Sequence, residues 1–496
     1  MINKRRVGIN HWMVILMFLT GFLNLLFSEK IELFNGHNWD GVSYVAWAKD
    51  FFHEAFEKGL SDYSVQRIFL SFIIHYGLRT LGIPLQETNI IFAYGVWNLG
   101  LLVLSAYVWG LISDCLNLTN RGKWLGFCGL FINYPILKMN FYYPVLTDTT
   151  AFTLGMLSFY FYLTRRSKAL LATSLIGAFT WPTIFFFGLL LFLFSNWKGQ
   201  KENVSSKASK RGWPMALLMT LLVFGFVLKV IVKTHYFTQL TKVHVYQPPN
   251  LSVLNLSIVL LLSYIFFVYH YLFNATPIGW REIWSQMSVK RLLATIACFA
   301  VVQWLIHTLA VEEHLVTPIR HLYRNHTVAI SNPLIWGVAH VVYYGPILIL
   351  TAFLWKPICR AIQPYGIGLV LMVTGALFFS IDSESRHWIN FLPIFIAFTC
   401  KVTDTLSWKT SYYWLIGIGA FLYSKVWFDI NPLGPGSDHG NVLLFPYQKY
   451  YLSHGPFMSD MSYIAQGSIV LWTALLFYFV LFKYPSTATS PPSDKI

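Results

Sequence analysis

Long apolar runs separated by short polar segments dominate the pattern along this chain. Many of them approach or exceed the ~20 residues that a helix needs to cross the hydrocarbon core of a bilayer. The pattern therefore predicts an all-α polytopic membrane protein. The first run has no A-x-A-like cleavage site behind it, so we interpret it as a retained helix rather than a signal peptide. The predicted spans are 11–28, 88–113, 123–138, 147–164, 213–232, 252–273, 290–310, 335–355, 361–380, 388–403, 409–427 and 463–482.

Two further apolar segments fit this pattern less well. Segment 66–82 carries three basic side chains within its apolar run. Segment 168–196 is long, but it contains the dipeptide Trp181-Pro182. Proline removes a backbone donor and kinks or ends a helix. We therefore expect two short membrane helices in 168–196, with a turn between them.

The distribution of charge decides how segment 66–82 lies. Cytoplasmic loops of membrane proteins carry an excess of Lys and Arg. If 66–82 is an interfacial helix on the outer surface, the inner segments hold 22 Lys and Arg against 5 Asp and Glu, and the outer segments hold 14 against 16. If it crossed, the basic cluster 165–168 would face outward. The sequence thus predicts about 14 membrane helices, two of them short, with both termini in the cytoplasm.

Composition supports one membrane domain rather than a soluble protein. Of the 496 residues, 56% are hydrophobic and 11% are charged, which does not fit a soluble globular chain. The formal charge of +15 collects in loops on one side, which points to membrane lipids and away from nucleic acid. We predict a single domain over 1–482 and a disordered inner tail over 483–496. The five cysteines lie in predicted helices or inner loops, which favours a bacterial plasma membrane over the endoplasmic reticulum.

Asp40 is the first candidate for chemistry. It lies beside Trp39 in the first outer loop, 29–87, shortly after the first predicted helix. A carboxylate at the membrane surface can accept the proton of an acceptor hydroxyl, and Trp39 could stack on a sugar face. The alternative is an ordinary N-cap of the helix that starts near Val42, because Asp is a preferred N-cap residue.

Asp148 is the second candidate, at the outer end of a predicted span. It is a possible second acidic site that orients an acceptor, and Tyr143 nearby is a possible stacking surface for a sugar. An N-cap role is again the alternative. A metal site normally needs more ligands at a readable spacing, so the sequence leaves divalent-metal binding undecided and predicts no other cofactor.

A dense charged segment, 382–388, lies between two strong predicted spans. Such a cluster is costly in a membrane unless it faces an aqueous cavity or a charged ligand. Arg386 and His387 suit a phosphate, which Arg can bind through two parallel hydrogen bonds, and Glu384 is a further acidic candidate. Arg67 could contact the same anion. The alternatives are a solvated loop with internal ion pairs and snorkelling of Arg67 to lipid headgroups. The long outer segment 428–462 is predicted to cover the site.

These features resemble the GT-C superfamily of membrane glycosyltransferases, which use a lipid-phosphate-linked sugar. In that superfamily a catalytic acid follows the first helix, interfacial helices come next, and a second acidic site often lies in the next outer loop. Asp40, segment 66–82 and Asp148 stand at the corresponding positions. Trp39-Asp40-Gly41 also resembles the signature of the GPI mannosyltransferase II (PIG-V-like) branch. The predicted second outer loop lacks the Asp-x-Asp pair of such enzymes, which puts metal dependence in doubt. We predict no large soluble C-terminal domain, which argues against the oligosaccharyltransferase and arabinosyltransferase types.

The resemblance implies a polyprenyl- or dolichyl-phosphate sugar as donor and a glycan, lipid or protein as acceptor. Asp40 would be the catalytic base, Arg386, His387 and Arg67 would bind the phosphate, and the anomeric carbon would be inverted. Two alternatives stay open, namely a transporter or flippase of lipid-linked or anionic substrates and a noncatalytic subunit of a glycan assembly complex. Transporters place their sites at the midplane and often have repeated halves, whereas the acids here cluster at one predicted face.

Overall fold

The computed structural model describes residues 8–31, 37, 40–197, 212–232, 251–275, 280–312, 318–432 and 460–483. Helices form almost all of the regular structure. Six helices within these ranges are long and apolar enough to cross a membrane, and a bent pair would make a seventh. Large hydrophobic side chains such as Leu218 and Trp304 are exposed on them, as expected for surfaces that contact lipid. The protein is a helical membrane-embedded protein.

The first part of the described chain, up to residue 197, is helical and includes the first predicted outer loop. A short strand, β1, follows a π-helical turn at His53–Glu57. The helices here are α1 (Ile9–Phe27), α2 (Asp40–Lys49), α3 (Asp62–Val65), α4 (Phe69–Thr80), α5 (Glu87–Cys115), α6 (Asn120–Phe131), α7 (Asn140–Tyr142), α8 (Asp148–Leu163), α9 (Ser167–Ala178) and α10 (Pro182–Leu193), with β1 at Leu60–Ser61 and a second π-helical turn at Pro135–Met139.

The second part is also helical. Strand β2 (Ala310–Glu312) runs parallel to β1 and ties the first predicted loop to the end of a long apolar helix. The helices are α11 (Gly212–Val232), α12 (Leu254–Ala275), α13 (Trp280–Gln286), α14 (Val289–Leu309), α15 (Pro318–Ala329), α16 (Ile335–Tyr344), α17 (Ile347–Phe353), α18 (Trp355–Ile362), α19 (Ile367–Phe379), α20 (Leu392–Thr403), α21 (Thr410–Ser424) and α22 (Asp460–Phe477), with 3₁₀ turns at Gln363–Tyr365 and Ser385–Trp388 and a π-helical end at Tyr478–Lys483.

The predicted span 335–355 is not one helix. It is divided into α16 and α17 at Gly345-Pro346, where Gly345 has a φ of +91°. Glycine adopts this conformation without a steric penalty, and proline cannot donate the next helical hydrogen bond. Helix α17 then bends by 82° into the helix that ends at Tyr365. The first residues of the predicted span 361–380 belong to this bent pair, and the helix proper, α19, begins only at Ile367. The predicted total of about 14 membrane helices is therefore not confirmed.

The two ambiguous segments are short helices. Helix α4 has 12 residues, or about 18 Å at 1.5 Å per residue, which is too short to cross a bilayer core of ~30 Å alone. This length agrees with the interfacial position predicted for 66–82. The predicted break in 168–196 is confirmed, because Trp181 is extended (φ −155°, ψ 98°) between α9 and α10. The backbone N–H of Phe69 donates to the carbonyl of Phe179, which docks α4 on this break.

A buried ion pair joins three segments that are distant in the sequence. Lys138 Nζ lies 2.5 Å from Glu29 Oε1 and also donates to the Phe428 carbonyl. The Glu29 carboxylate accepts from the backbone N–H groups of Ile430 and Asn431. The segment after α1, the turn after α6 and the segment after α21 are thus fixed to one another. Of the predicted cover 428–462, residues 433–459 lie outside the described ranges, as does most of the predicted tail.

We predict that Glu29→Gln lowers the free energy of unfolding by about 3 kcal/mol, because it leaves the buried Lys138 ammonium without its counter-charge. Thermal unfolding of the detergent-solubilised protein measures the change. Glu54→Gln is the matched control, since Glu54 pairs with a largely exposed Lys58 and such pairs contribute little. Equal melting temperatures for the two variants would show that the Glu29 pair does not hold these segments together.

Candidate functional site

The segment between α19 and α20 folds into a tight turn that gathers its own charges. The backbone N–H of Glu384 donates to Asp382 Oδ1 (3.0 Å), and the N–H of His387 donates to the Glu384 carbonyl (3.0 Å). Aspartate favours such local side-chain to backbone bonds, which compete with a regular helix. The turn therefore brings the side chains of Asp382 and Glu384 within contact distance of His387.

Arg386 joins this turn to the first predicted loop. Its Nη2 lies 3.2 Å from Asp40 Oδ2, and its Nε lies 2.8 Å from Glu384 Oε1. The Arg386 side chain is 16% exposed and that of Asp40 is 32% exposed, so Asp40 keeps access from outside while Arg386 is covered. The structure thus brings together two residues that are 346 positions apart and that the sequence placed on one face.

Glu384 holds several cations at once. Besides Arg386, its carboxylate lies 3.6 Å from Arg324 Nη2 and 3.5 Å from His387 Nε2. A buried carboxylate is stabilised only when opposite charges and hydrogen bonds surround it. In this geometry Glu384 fixes the positions of Arg324, Arg386 and His387, and its role as a further acidic residue of the site stays a prediction. We name Asp40, Arg324, Asp382, Glu384, Arg386 and His387 the Arg386 cluster.

His387 is oriented by a carboxylate. Its Nδ1 lies 2.8 Å from Asp382 Oδ2, and the Asp382 side chain is 4% exposed. Burial alone would lower the pKa of His387, but the Glu384 and Asp382 carboxylates outweigh burial and hold that pKa above its ordinary value of 6.5. The side chain therefore carries positive charge over a wider pH range than a free imidazole does. This charge fits the anion-binding role predicted for His387.

Arg67 is a buried cation with a different environment. Its guanidinium carbon lies 4.4 Å from the Tyr63 ring centroid and 4.8 Å from the Trp181 ring centroid. The residue is 7% exposed, and its Nε has no hydrogen-bond partner. Among the described residues, no carboxylate lies within salt-bridge distance of Arg67. A buried guanidinium that is held by aromatic faces and lacks a carboxylate partner is suited to an incoming anion.

Trp181 connects Arg67 to the cluster. Its ring centroid also lies 6.3 Å from the His387 ring centroid, so one indole separates two cationic side chains. The sequence indicated the helix break at Trp181 but no role for it in the site, and it did not single out Tyr63. No sequence signal pointed to Tyr63, because it lies in the four-residue helix α3 whereas Arg67 lies in the turn between α3 and α4.

Asp148 lies at the start of α8, close to the cations. It interacts electrostatically with Arg386, Arg67 and His387. Both of its carboxylate oxygens are buried and have no hydrogen-bond partner within the described part of the chain. The preceding residue, Thr147, makes no side-chain capping bond either. The N-cap interpretation of Asp148 is therefore not supported, and the carboxylate is available to hydroxyl groups of a ligand.

Tyr143 supports the helix that carries Asp40. Its hydroxyl accepts from the backbone N–H of Gly41 (3.1 Å), and a Cβ at Gly41 would meet that oxygen at 2.6 Å. Glycine is thus required here by close approach rather than by backbone conformation. Tyr143 is 1% exposed, so a sugar could stack on its ring, as the sequence predicted, only after this packing opened. Trp39 lies outside the described residues.

The fold and the cluster, together with Arg67 and Asp148, define a helical membrane-embedded protein with a largely buried polar centre, in which three arginines, one histidine and four acidic side chains meet. No protein-family model, curated protein or solved structure matches the chain. Among the residues that the structure describes, no group of three or more His, Cys, Asp and Glu side chains could hold a metal ion. The centre is therefore interpreted from its own geometry.

The raised pKa of His387 predicts how stability depends on pH. The ion pairs of His387 stabilise the fold fully below about pH 6.5, its ordinary value, and this contribution is lost as the pH rises through the raised pKa. We expect the melting temperature of wild type to exceed that of His387→Gln most at low pH, with the difference shrinking as the pH increases.

The control for this measurement is His53→Gln. The hydrogen bond to the Glu57 carboxylate also raises the pKa of His53, but both side chains are more than half exposed, so we expect a difference of the same sign that is much smaller at every pH. A wild-type advantage over His387→Gln that grew with rising pH would contradict the charged state assigned to His387.

Proposed function

We propose that this protein is a membrane glycosyltransferase that moves a sugar from a lipid-phosphate donor to an acceptor hydroxyl, with the layout of the GT-C superfamily. The observation that carries the proposal is the Asp40–Arg386 pair. It places an accessible carboxylate 3.2 Å from a covered guanidinium, next to further buried cations. Transfer from a phosphate-linked donor requires a base for the acceptor hydroxyl and a cationic group for the phosphate, and in this pair the two are in contact.

The donor phosphate is bound by Arg67 with help from Arg386 and His387. Arg67 is the foremost of these three, because Arg386 already pairs with Asp40 and Glu384, whereas Arg67 contacts aromatic rings. The apolar helices α9 and α10 meet at Trp181, which touches Arg67. A polyprenyl or dolichyl tail that lies along these two helices would bring its phosphate to Arg67.

Asp40 acts as the general base. It accepts the proton of the acceptor hydroxyl, and the hydroxyl oxygen attacks the anomeric carbon. The bond from that carbon to the phosphate oxygen breaks, and the lipid phosphate leaves with the electron pair. Arg67, Arg386 and His387 stabilise its charge. One displacement without a covalent intermediate inverts the anomeric carbon.

Asp148 orients the sugar hydroxyls or the acceptor. Its two unpartnered oxygens can accept hydrogen bonds from hydroxyl groups of a ligand, since a carboxyl group keeps acceptor sites whether or not it carries a proton. The acceptor is a glycan, lipid or protein. The charge distribution of the sequence supports a site on the outer face of the membrane with both termini in the cytoplasm, and the placement of the cysteines favours a bacterial plasma membrane.

We predict that Asp40→Asn reduces sugar transfer by about 10²- to 10⁴-fold, the range typical of a lost general base. Purified wild type and variant would be incubated with a panel of radiolabelled polyprenyl-phosphate sugars, and product would be counted. Asp50→Asn is the matched control, because Asp50 is an exposed aspartate in the same region that bonds only locally. Full transfer by a folded Asp40→Asn variant would remove Asp40 from the mechanism and favour a noncatalytic role.

We predict that Arg67→Gln weakens binding of decyl phosphate by about tenfold or more, because a hydrogen bond to a charged group contributes roughly 1.5–3 kcal/mol. Isothermal titration in detergent measures the dissociation constant, and decanol tests whether the phosphate is needed. Arg79→Gln removes an exposed arginine from neighbouring α4 and should leave binding unchanged. Equal affinities for all three proteins would exclude Arg67 from the anion site.

A further inference from the structure

Ser385 is the anchor of the turn that carries the Arg386 cluster. It stands between Glu384 and Arg386 and is completely buried. Helix α16 directs two side chains at it, His340 and Tyr344. These residues are one helical turn apart, so they lie on the same face of α16. Neither has a role in the chemistry proposed above, and both are buried away from solvent.

The hydrogen bonds of His340 define its tautomer. Its Nε2 lies 2.7 Å from the Ser380 carbonyl oxygen, which only accepts, so Nε2 carries the proton. In the neutral ring Nδ1 then has no proton and accepts from the Ser385 hydroxyl at 2.9 Å. The His340 imidazole therefore bridges the end of α19 and the Ser385 side chain, with each of its nitrogens satisfied.

The other contacts fix the backbone around Ser385. The Tyr344 hydroxyl donates to the Ser385 carbonyl oxygen. Trp388, at the end of the same 3₁₀ turn, stacks on His340 with ring centroids 5.5 Å apart and donates its Nε1–H to the Ala376 carbonyl. Both ends of the turn are thus clamped from the α16 side, and Arg386 and His387 lie between the two clamped points.

We propose that His340 and Tyr344 are positioning residues that set the direction of Arg386 and so determine how strongly the site holds a phosphate. The peptide bond is planar, so a hydrogen bond that fixes the Ser385 carbonyl also fixes the plane leading to the Arg386 Cα. The guanidinium then meets Asp40 and Glu384 at a defined angle. This inference rests on the proposed function, because it assigns the consequence of the clamp to anion binding.

The test is binding of decyl phosphate to the purified full-length protein, with decanol as the uncharged comparison. We expect Tyr344→Phe, which removes one hydroxyl and little volume, to bind decyl phosphate up to about fivefold more weakly, the factor reached if the whole free energy of one buried neutral hydrogen bond goes into positioning Arg386. Tyr162→Phe is the matched control. Tyr162 donates to the Tyr365 carbonyl from a position 14 residues along α8 from Asp148, about 21 Å away, so it should bind as wild type does.

A double-mutant cycle separates positioning from general loss of structure. In an Arg386→Gln background, Tyr344→Phe should have no further effect on affinity if it acts through Arg386, whereas a merely structural loss would add to it. His340→Gln, which keeps a donor for Ser380, should bind more tightly than His340→Phe.

The outcomes are distinct. If wild type binds decyl phosphate no better than decanol, the proposed donor class and this inference both fail. If wild type binds decyl phosphate and Tyr344→Phe binds it equally well, the positioning role is overturned. The same holds if the loss of affinity from Tyr344→Phe adds fully to that from Arg386→Gln. In both cases the proposed function stands.

Discussion

The rest of the centre depends on the pairing of Arg386 with Asp40 and Glu384. A guanidinium that is largely removed from water is tolerated only when nearby carboxylates compensate its charge. That need draws α2, which carries Asp40, onto the turn between α19 and α20. Arg324 and His387 then gather on Glu384, so one arginine sets the arrangement of charges from distant parts of the chain.

The surrounding structure keeps this arrangement from relaxing. The Tyr143 hydroxyl lies so close to Gly41 that a Cβ at position 41 would meet it at 2.6 Å. This close approach fixes the distance between α2 and Tyr143. The Glu29–Lys138 ion pair separately fixes the segments that follow α1, α6 and α21. A preorganised site avoids the energetic cost of ordering its groups when a ligand binds. The fold therefore holds the charges of the cluster in place, as the proposed anion site requires.

Breaks in helices place polar groups inside an apolar protein. Trp181-Pro182 interrupts one apolar stretch and presents an indole to Arg67 and His387. Gly345-Pro346 ends α16 directly after Tyr344, so that its last turn faces Ser385. Irregular backbone in a membrane protein needs partners other than lipid. At these two breaks the partners are groups of the site or of its support, which is a physical reason for the breaks to lie there.

The sequence alone determined the membrane class, the approximate bounds of the long apolar helices, the break at Trp181 and the candidates Asp40, Asp148, Glu384, Arg386, His387 and Arg67, because apolar run length, proline and charge are local properties. It did not determine the break of 335–355 or the number of spans, since hydropathy does not report a bend between apolar helices. Only the tertiary structure decided which charges meet. The Asp40–Arg386 contact, the aromatic faces on Arg67 and the clamp on Ser385 join distant residues, and their energies depend on distance and burial, which no one-dimensional pattern contains.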